Sequence, residues 1–268
     1  MKSETATIEE LLAEKWLPDP SLTVEQELSE MVSRIGEKLS IRRFEKLEAP
    51  DGAIVSYIHG GGKIAVVVEA TGEDKPEIRE AMKNIAMQVA AMNPQYVRRS
   101  DISADELAKM KEIVIDSSLN EPATLPKPML QKLIDKAVSE KIWSDEDIAI
   151  YEEKKSNMNY LFNFLSDAAP AALASLAMAD KETYVSDKIF SGLVEGRVSK
   201  QVKEVCLFEQ VYVKAEDGKQ TVAKYIEQVA KANGGFDIKS VVRYETGEGL
   251  EKKEDDFAAE VAAMTGNK

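Results

Sequence analysis

Few residues in this chain have the types and spacing that catalysis or metal binding requires. The 268 residues include one histidine, His59, and one cysteine, Cys206. Clusters of histidine and cysteine build most zinc sites, and many Ser-His-Asp hydrolases carry their serine in a Gly-x-Ser-x-Gly turn, which this sequence lacks. We therefore predict no metal site and interpret His59 as a residue at the end of a strand. A single cysteine also excludes an intramolecular disulfide and favours a reducing compartment.

Two further runs resemble binding motifs without meeting their requirements. Gly60–Gly62 precedes an apolar run typical of a strand, whereas a phosphate-binding loop leads into a helix N-terminus. Asp145–Asp147 lacks the spacing of a calcium loop and indicates the charged start of a helix. Nothing singles out a catalytic pair among the acidic residues. An enzyme with carboxylates in the helical middle of the chain stays open, and a polar pocket there with strongly shifted pKa values would favour it.

The charge and the hydropathy of the chain exclude other classes of protein. The sequence has 48 acidic and 35 basic side chains, a net charge of −13. Nucleic-acid binding needs concentrated lysine and arginine. No stretch approaches the roughly 20 apolar residues of a membrane span, and the acidic N-terminus is unlike a signal peptide. We expect a cytoplasmic protein that binds neither nucleic acid nor membranes, needs no cofactor and is not an enzyme.

The residues from Ser40 to Tyr96 carry the clearest pattern of secondary structure. A strand is expected from Ser40. The β-rich runs 53–58 and 64–68, joined by the glycines, predict a β-hairpin. A helix is expected from Ile78 to Met92, and the following Asn93-Pro94 should end it.

The helix from Ile78 to Met92 has two faces of different composition. Ala81, Gln88 and Ala91 form a narrow strip without charge on one side. A helix buried on two sides within its own domain would explain this strip, and so would a surface kept small for the approach of another protein. The sequence leaves both interpretations open. The apolar stripe on the other side comprises Ile78, Met82, Ile85, Ala86, Val89 and Met92.

A unit of helix, glycine and strand occurs twice in the sequence. One helix ends at Gly36 before a strand expected from Ile41, and another ends at Gly234 before a strand expected from Ile238. A further strand is expected over 205–213. The repetition predicts two related subdomains.

The residues between these two copies carry mostly helical patterns, interrupted by prolines. We interpret them as a helical, coiled-coil-like lobe with a small core of its own, and we expect an apolar helix at the C-terminus. The predicted fold is α+β, with two related helix/strand core subdomains, a long helical insertion and a C-terminal helix. Its expected parts are an N-terminal linker or helix remnant at 1–22, an N-terminal core subdomain at 23–103, the insertion at 104–203, a C-terminal core subdomain at 204–246 and a C-terminal helical module at 247–268.

Five segments of the chain resemble bacterial elongation factor Ts, in its core and C-terminal parts. The matches are ordered, run from about Thr23 to the C-terminus, and together are highly specific although each is short. The resemblance implies two core subdomains, a coiled-coil insertion and a C-terminal helical module. The segments are Ile35–Arg43, Tyr57–Ile64, Ile85–Pro94, Val194–Arg197 and Gly247–Val261.

The resemblance also implies a function and a partner. Members of this family are guanine-nucleotide exchange factors that bind elongation factor Tu, the GTPase that delivers aminoacyl-tRNA, and promote GDP release during translation elongation. The helix around Gln88 and the terminal helix around Phe257 are implied to face the GTPase. The implied contact residues are Ile85, Gln88, Val89, Ala91, Met92, Pro94, Phe257 and Val261.

Several features depart from the family pattern. No N-terminal helical domain resembling a ubiquitin-associated fold is recognisable, and the Thr-Asp-Phe-Val segment that intrudes near the magnesium site in relatives is absent. The middle segment over 122–187 is longer than in compact members, and many relatives have histidine in place of Gln88. These departures are consistent with Met1 as an internal start, and the sequence leaves open whether it is the native one. The alternative function is a non-exchanging binding or chaperone partner of the same GTPase, and the sequence leaves open whether the chain forms a homodimer.

Overall fold

The computed structural model describes residues 6–158 and 160–250. Residues up to Glu48 form one compact unit and residues from Ala49 form another. The described residues combine α-helices with a three-stranded antiparallel sheet. This mixture confirms the predicted α+β class.

The first unit contains helices α1, Ile8–Ala13, and α2, Val24–Ile35. Helix α2 begins with a capping box, in which the Thr23 side chain accepts from the Gln26 backbone and the Gln26 side chain accepts from the Thr23 backbone. These two bonds satisfy N–H groups that a helix start otherwise leaves without partners. Gly36 ends α2 in the left-handed conformation, at φ 78°, as the sequence predicted.

The strand predicted from Ser40 is wrong, because residues 37–48 have no regular secondary structure. Ile41, Phe44 and Leu47 are half-buried, and the residues between them are exposed. The inward side chains therefore recur at every third residue. A strand places every second residue on one face, so this pattern does not fit a sheet.

The second unit contains the predicted β-hairpin, formed by β1, Gly52–His59, and β2, Ile64–Gly72. Gly60–Gly62 closes it, and all three glycines have positive φ, at 61°, 67° and 96°. Residues with a Cβ adopt such angles only at a cost, so this tight turn depends on glycine. The prediction of a glycine turn between two strands is confirmed.

A third strand, β3 at Phe236–Glu245, pairs antiparallel with β2 and gives the order β1-β2-β3. Val68 in β2 lies opposite Val55 on one side and Val241 on the other. The strand expected from Ile238 is therefore present. It shares one sheet with the hairpin, so segments assigned to both predicted core subdomains meet here.

Helix α3, Pro76–Met92, packs across β1 and β2, and helix α10, Val222–Asn233, contacts both α3 and β3. Alternate residues of β2, including Val66 and Val68, are fully buried and share a core with α3. Val67 between them is half-buried. Helix α10 ends at Gly234, at φ 84°, which confirms the second predicted glycine cap.

Residues between the hairpin unit and α10 form a helical lobe with its own core. Leu119, Ile134, Leu173 and Phe190 are completely buried there, in a cluster separate from that of the sheet. The predicted helical lobe with a core of its own is confirmed. Its helices are α4 Ala104–Asn120, α5 Lys127–Ser139, α6 Asp145–Lys154, α7 Ala168–Ala179, α8 Lys181–Ser186 and α9 Lys188–Val205.

The strand predicted over 205–213 is wrong. A 3-10 turn at Leu207–Glu209 follows α9, and only isolated bridges join Cys206 to Tyr96 and Val211 to Thr221 in this segment. A short apolar run such as 205–208 has no period that separates a strand from a buried turn. The contacts of these residues with distant parts of the chain decided between the two.

Candidate partner-binding surface

Helix α3 is the element on which most of the predicted contact residues lie. Pro76 occupies its first turn, where a missing N–H costs nothing, and Asn93 ends it in the left-handed conformation at φ 46°. Its sheet-facing side buries Ile78, Met82, Ile85 and other apolar residues, and its opposite strip is also covered, since Ala81 and Gln88 are buried. The interpretation of a helix buried on two sides is therefore correct for most of its length.

Gln88 is completely buried and joins α3 to the segment 210–214. Its Nε2 donates to Gln210 Oε1 at 3.1 Å and to the Val211 carbonyl at 3.2 Å. Its Oε1 accepts from the Val213 backbone N–H at 2.7 Å. Gln210 in turn donates from Nε2 to the Glu204 carbonyl at the end of α9, at 2.7 Å. Buried amides are stable only when such partners are present, so this network fixes the segment against the helix.

The predicted contact residues fall into three groups: buried residues, exposed residues and residues outside the part of the chain that the structure describes. Ile85, Gln88 and Val89 are fully buried, and Pro94 is buried as well. Ala91 and Met92 are exposed in the last turn of α3, Met92 by 48%. A direct contact between these six residues and a partner stays a prediction. In this arrangement only Ala91 and Met92 present side chains outward. The other two predicted residues, Phe257 and Val261, lie outside the described residues.

The segment 210–214 adds residues that the sequence did not single out. Gln210 and Tyr212 point inward and are buried, whereas Val211 and Val213 are 49% and 47% exposed. The run Val211-Tyr212-Val213 has no charged residue, so no pattern in the sequence indicates which of its sides faces outward. The hydrogen bonds of the buried Gln88 hold the segment so that Val211 and Val213 face outward.

A stacked pair of tyrosines supports the other end of the segment. The rings of Tyr212 and Tyr225 lie 4.3 Å apart with an interplanar angle of 14°. Burial, followed by the effect of Tyr225, raises the pKa of Tyr212 above the ordinary value for tyrosine. Asn84 donates to the Tyr225 hydroxyl at 3.1 Å and accepts from Lys214 Nζ at 2.7 Å. Helices α3 and α10 and the segment are thereby held together.

Two segments of the chain, one around Tyr96 and one around Leu207, connect the sheet to the helical lobe beside this surface. The Val205 carbonyl accepts from the backbone of Tyr96 at 3.1 Å, and Leu207 donates back to the Tyr96 carbonyl at 2.9 Å. Arg98 stacks over the Phe208 ring, 4.4 Å from its centre, and donates to the Ile238 carbonyl in β3. The lobe is thus joined to the sheet by paired backbone and by a cation–π contact.

His59 and Asp147 have side chains capable of chemistry, and both contact neighbouring side chains within hydrogen-bond distance. His59 ends β1 as predicted, and its Nδ1 lies 3.0 Å from the Tyr57 hydroxyl. Asp147 is buried in the lobe and accepts from the Ser144 hydroxyl and from the Ser166 backbone and hydroxyl, at 2.7–2.8 Å. Burial raises its pKa, but the hydrogen bonds outweigh burial and leave the pKa below its usual value. A carboxylate held in this way stays ionised and ties two helix starts together.

The described residues contain no group of three or more histidine, cysteine or acidic side chains that could hold a metal ion. Over the same residues, no helix combines the length and the apolar character needed to cross a membrane.

These features define an α+β protein whose sheet domain carries an inserted helical lobe and presents a small apolar helix end. The sequence model of the family described as Elongation factor TS matches residues 1–248. The chain belongs to the elongation factor Ts family.

Individual relatives give the extent of the similarity. The elongation factor Ts of Clostridium perfringens is 35% identical over 266 residues, which cover 98% of this chain and 66% of the relative. An elongation factor Ts of Clostridium botulinum is 34% identical over 261 residues, which cover 97% of this chain and 64% of the relative. The chain therefore spans about 65% of the length of the curated relatives it matches.

Proposed function

We propose that this chain binds elongation factor Tu and promotes the release of GDP from it during translation elongation. The observation that carries the proposal is the family match over residues 1–248. The exposed end of α3 supports it, because Ala91 and Met92 offer a small uncharged surface to a partner.

The proposed mechanism is thermodynamic linkage without a covalent step. A protein that binds the nucleotide-free GTPase more tightly than its GDP form must weaken GDP binding by the same factor. Shape and differential contact are sufficient for this effect. The partner would therefore be a nucleotide-binding protein, and the chain itself would need no cofactor.

A narrower function is the second candidate, namely binding of the GTPase without acceleration of exchange. The 268 residues contain no Thr-Asp-Phe-Val segment, which the family uses near the magnesium site. On this alternative the chain would form the complex and leave the rate of GDP release unchanged.

Stopped-flow release of fluorescent GDP from elongation factor Tu tests the proposal. We expect the release rate to rise with the concentration of this chain, because complex formation must lower GDP affinity if linkage operates. Binding to the nucleotide-free GTPase is measured in parallel by calorimetry. Binding without faster release would favour the second candidate, and absence of any complex would overturn both.

A further inference from the structure

The guanidinium group of Arg243 in β3 is buried without a full set of acceptors. The side chain is only 9% exposed. Nη2 donates to Glu245 Oε2 at 2.7 Å, whereas Nε and Nη1 are buried and have no hydrogen-bond partner among the described residues. No other buried side-chain nitrogen or oxygen in that part of the chain lacks a partner. Nε carries one N–H and Nη1 carries two, so three of the five N–H groups have no acceptor.

The register of the sheet places Arg243 on the side of the sheet that faces the core. Arg243 lies opposite Val66 in β2, and Val66 lies opposite Tyr57 in β1. Residues directly opposite each other in antiparallel strands share a face. Val66 is fully buried in the core that includes residues of α3. Arg243 is therefore not an arginine of an exposed face.

An arginine in this position is unfavourable unless a further acceptor is supplied. Buried charges in proteins are normally paired and hydrogen-bonded, because their transfer out of water is costly. Glu245 offsets part of this cost, but its side chain is 47% exposed and accepts from a single nitrogen. An apolar side chain of similar size would avoid the cost altogether. The unused N–H groups therefore suit a carboxylate from outside the described residues, since ionised pairs form the strongest hydrogen bonds.

The C-terminal segment, residues 251–268, follows this end of the sheet and carries acidic charge that its neighbours do not balance. Residues 251–254 contain two glutamates and two lysines, so their formal charges cancel. Asp255 and Asp256 come next, and no basic residue follows them before Lys268. Two adjacent carboxylates match a guanidinium group that has three N–H groups to donate.

The C-terminal segment is also close enough to reach Arg243. After β3 ends at Glu245, the Glu248 N–H donates to the Glu245 carbonyl and the Leu250 N–H donates to the Gly247 carbonyl. These two turns keep Leu250 near the end of β3. Asp255 follows Leu250 by five residues, which span at most about 17 Å when extended. Attachment to the same chain gives these carboxylates a higher effective concentration than those of another molecule.

We infer that the carboxylates of Asp255 and Asp256 accept from Nε and Nη1 of Arg243 and anchor the C-terminal segment to the sheet. The anchor holds Phe257 and Val261, two of the predicted contact residues, beside the end of β3 before any partner binds. This inference concerns the free chain, goes beyond the proposed function and does not depend on it.

The test compares three variants of the full chain without a partner: Arg243→Met, the double variant Asp255→Asn with Asp256→Asn, and the combination of both. Amide hydrogen exchange over residues 258–264 is the measurement. We expect the arginine variant and the aspartate variant each to speed this exchange at least about fivefold, because each removes one side of the same contact. The combination should exchange no faster than either, since the second change has no contact left to remove.

Two matched controls should leave the exchange over 258–264 unchanged. Glu260→Gln removes an acidic charge from the same segment, and Arg79→Met removes a half-exposed arginine that pairs with Asp74. If Arg243→Met fails to fold, the aspartate variant decides alone, because it leaves β3 and its core contacts untouched.

Three results would overturn the inference. The first is an aspartate variant whose exchange rises less than about fivefold, which would mean that these carboxylates hold nothing. The second is a combination whose effect is the product of the two separate effects, since independent sites behave in that way. The third is protection that depends on the protein concentration, which would assign the carboxylates to a second copy. Failure of the chain to accelerate GDP release would leave all of these measurements unaffected.

Discussion

Replacement of Gln88 by leucine measures how strongly the buried amide holds the segment 210–214 to α3. Leucine has a similar size but cannot donate to Gln210 and Val211 or accept from the Val213 N–H. A buried polar group that loses its partner costs about 1–3 kcal/mol. Three groups lose this partner, namely the Val213 N–H, the Val211 carbonyl and the side-chain oxygen of Gln210. The contacts of Val211 and Val213 are only partly buried, so the low end of this range applies and the three groups together give about 3–4 kcal/mol. The apolar leucine offsets about 1 kcal/mol. We expect the free energy of unfolding to fall by about 2–3 kcal/mol.

Urea and thermal unfolding of the full chain measure the loss of stability, and hydrogen exchange of the Val213 amide measures the loss of the local contact. At about 2–4 °C per kcal/mol for a domain of this size, the melting temperature should fall by roughly 5–10 °C. The Val213 amide should exchange faster, because its acceptor is gone. Gln228→Leu is the matched control, since Gln228 is an exposed helical glutamine that accepts from Gln220, and its effect should stay within about 0.5 kcal/mol. A loss below 1 kcal/mol with unchanged exchange at Val213 would refute the role given to Gln88.

Two further substitutions test charge and packing elsewhere. Asp147→Asn should destabilise the lobe by about 1–3 kcal/mol near neutral pH, because it removes the negative charge and one of the two oxygens that accept from Ser144 and Ser166. The folded pKa of Asp147 lies below its ordinary value of 3.8, so its stabilising effect is present above that pH and is lost as the pH falls through the folded pKa. Gly52→Ala should cost about 2 kcal/mol or more in guanidinium unfolding, because a Cβ there would lie 1.9 Å from the Ala70 carbonyl oxygen and would force β1 away from β2.

These two substitutions have clear controls. For Asp147→Asn, the difference in stability between the unchanged chain and the variant should shrink below pH 3.8, and a difference that grows there would contradict the argument. For Gly52→Ala, the matched change is Gly192→Ala in α9, where a Cβ meets no atom within 4 Å. That control should be neutral or stabilising by up to about 1 kcal/mol. Equal effects of the two glycine substitutions would show that close approach of β1 and β2 is not the cause.

The parts of the fold that depend on near neighbours in sequence were predictable. The hairpin follows from two β-rich runs joined by glycines, and α3 follows from an apolar stripe that ends before Asn93-Pro94. The helical lobe with its own core was also predictable from its periodic segments. Each of these signals is contained within a few turns of chain.

The two wrong strand predictions, from Ser40 and over 205–213, share a different cause. Ser40 opens a stretch whose apolar residues recur every third position, and 205–208 is a run without a period. Both have residues typical of strands, but a strand forms only where a partner strand is available. Composition alone did not distinguish these cases.

The sequence by itself determined the α+β class, the ends of the main helices and the membership of the elongation factor Ts family, because caps, turns and motifs are local. The tertiary structure decided that both sides of α3 are covered for most of its length and which side of the segment 210–214 faces outward. Gln88 and Val213 are 125 residues apart in the chain. Whether a glutamine on a helix meets solvent, a partner or its own chain depends on which distant backbone groups the fold brings to it, and no local pattern contains that information.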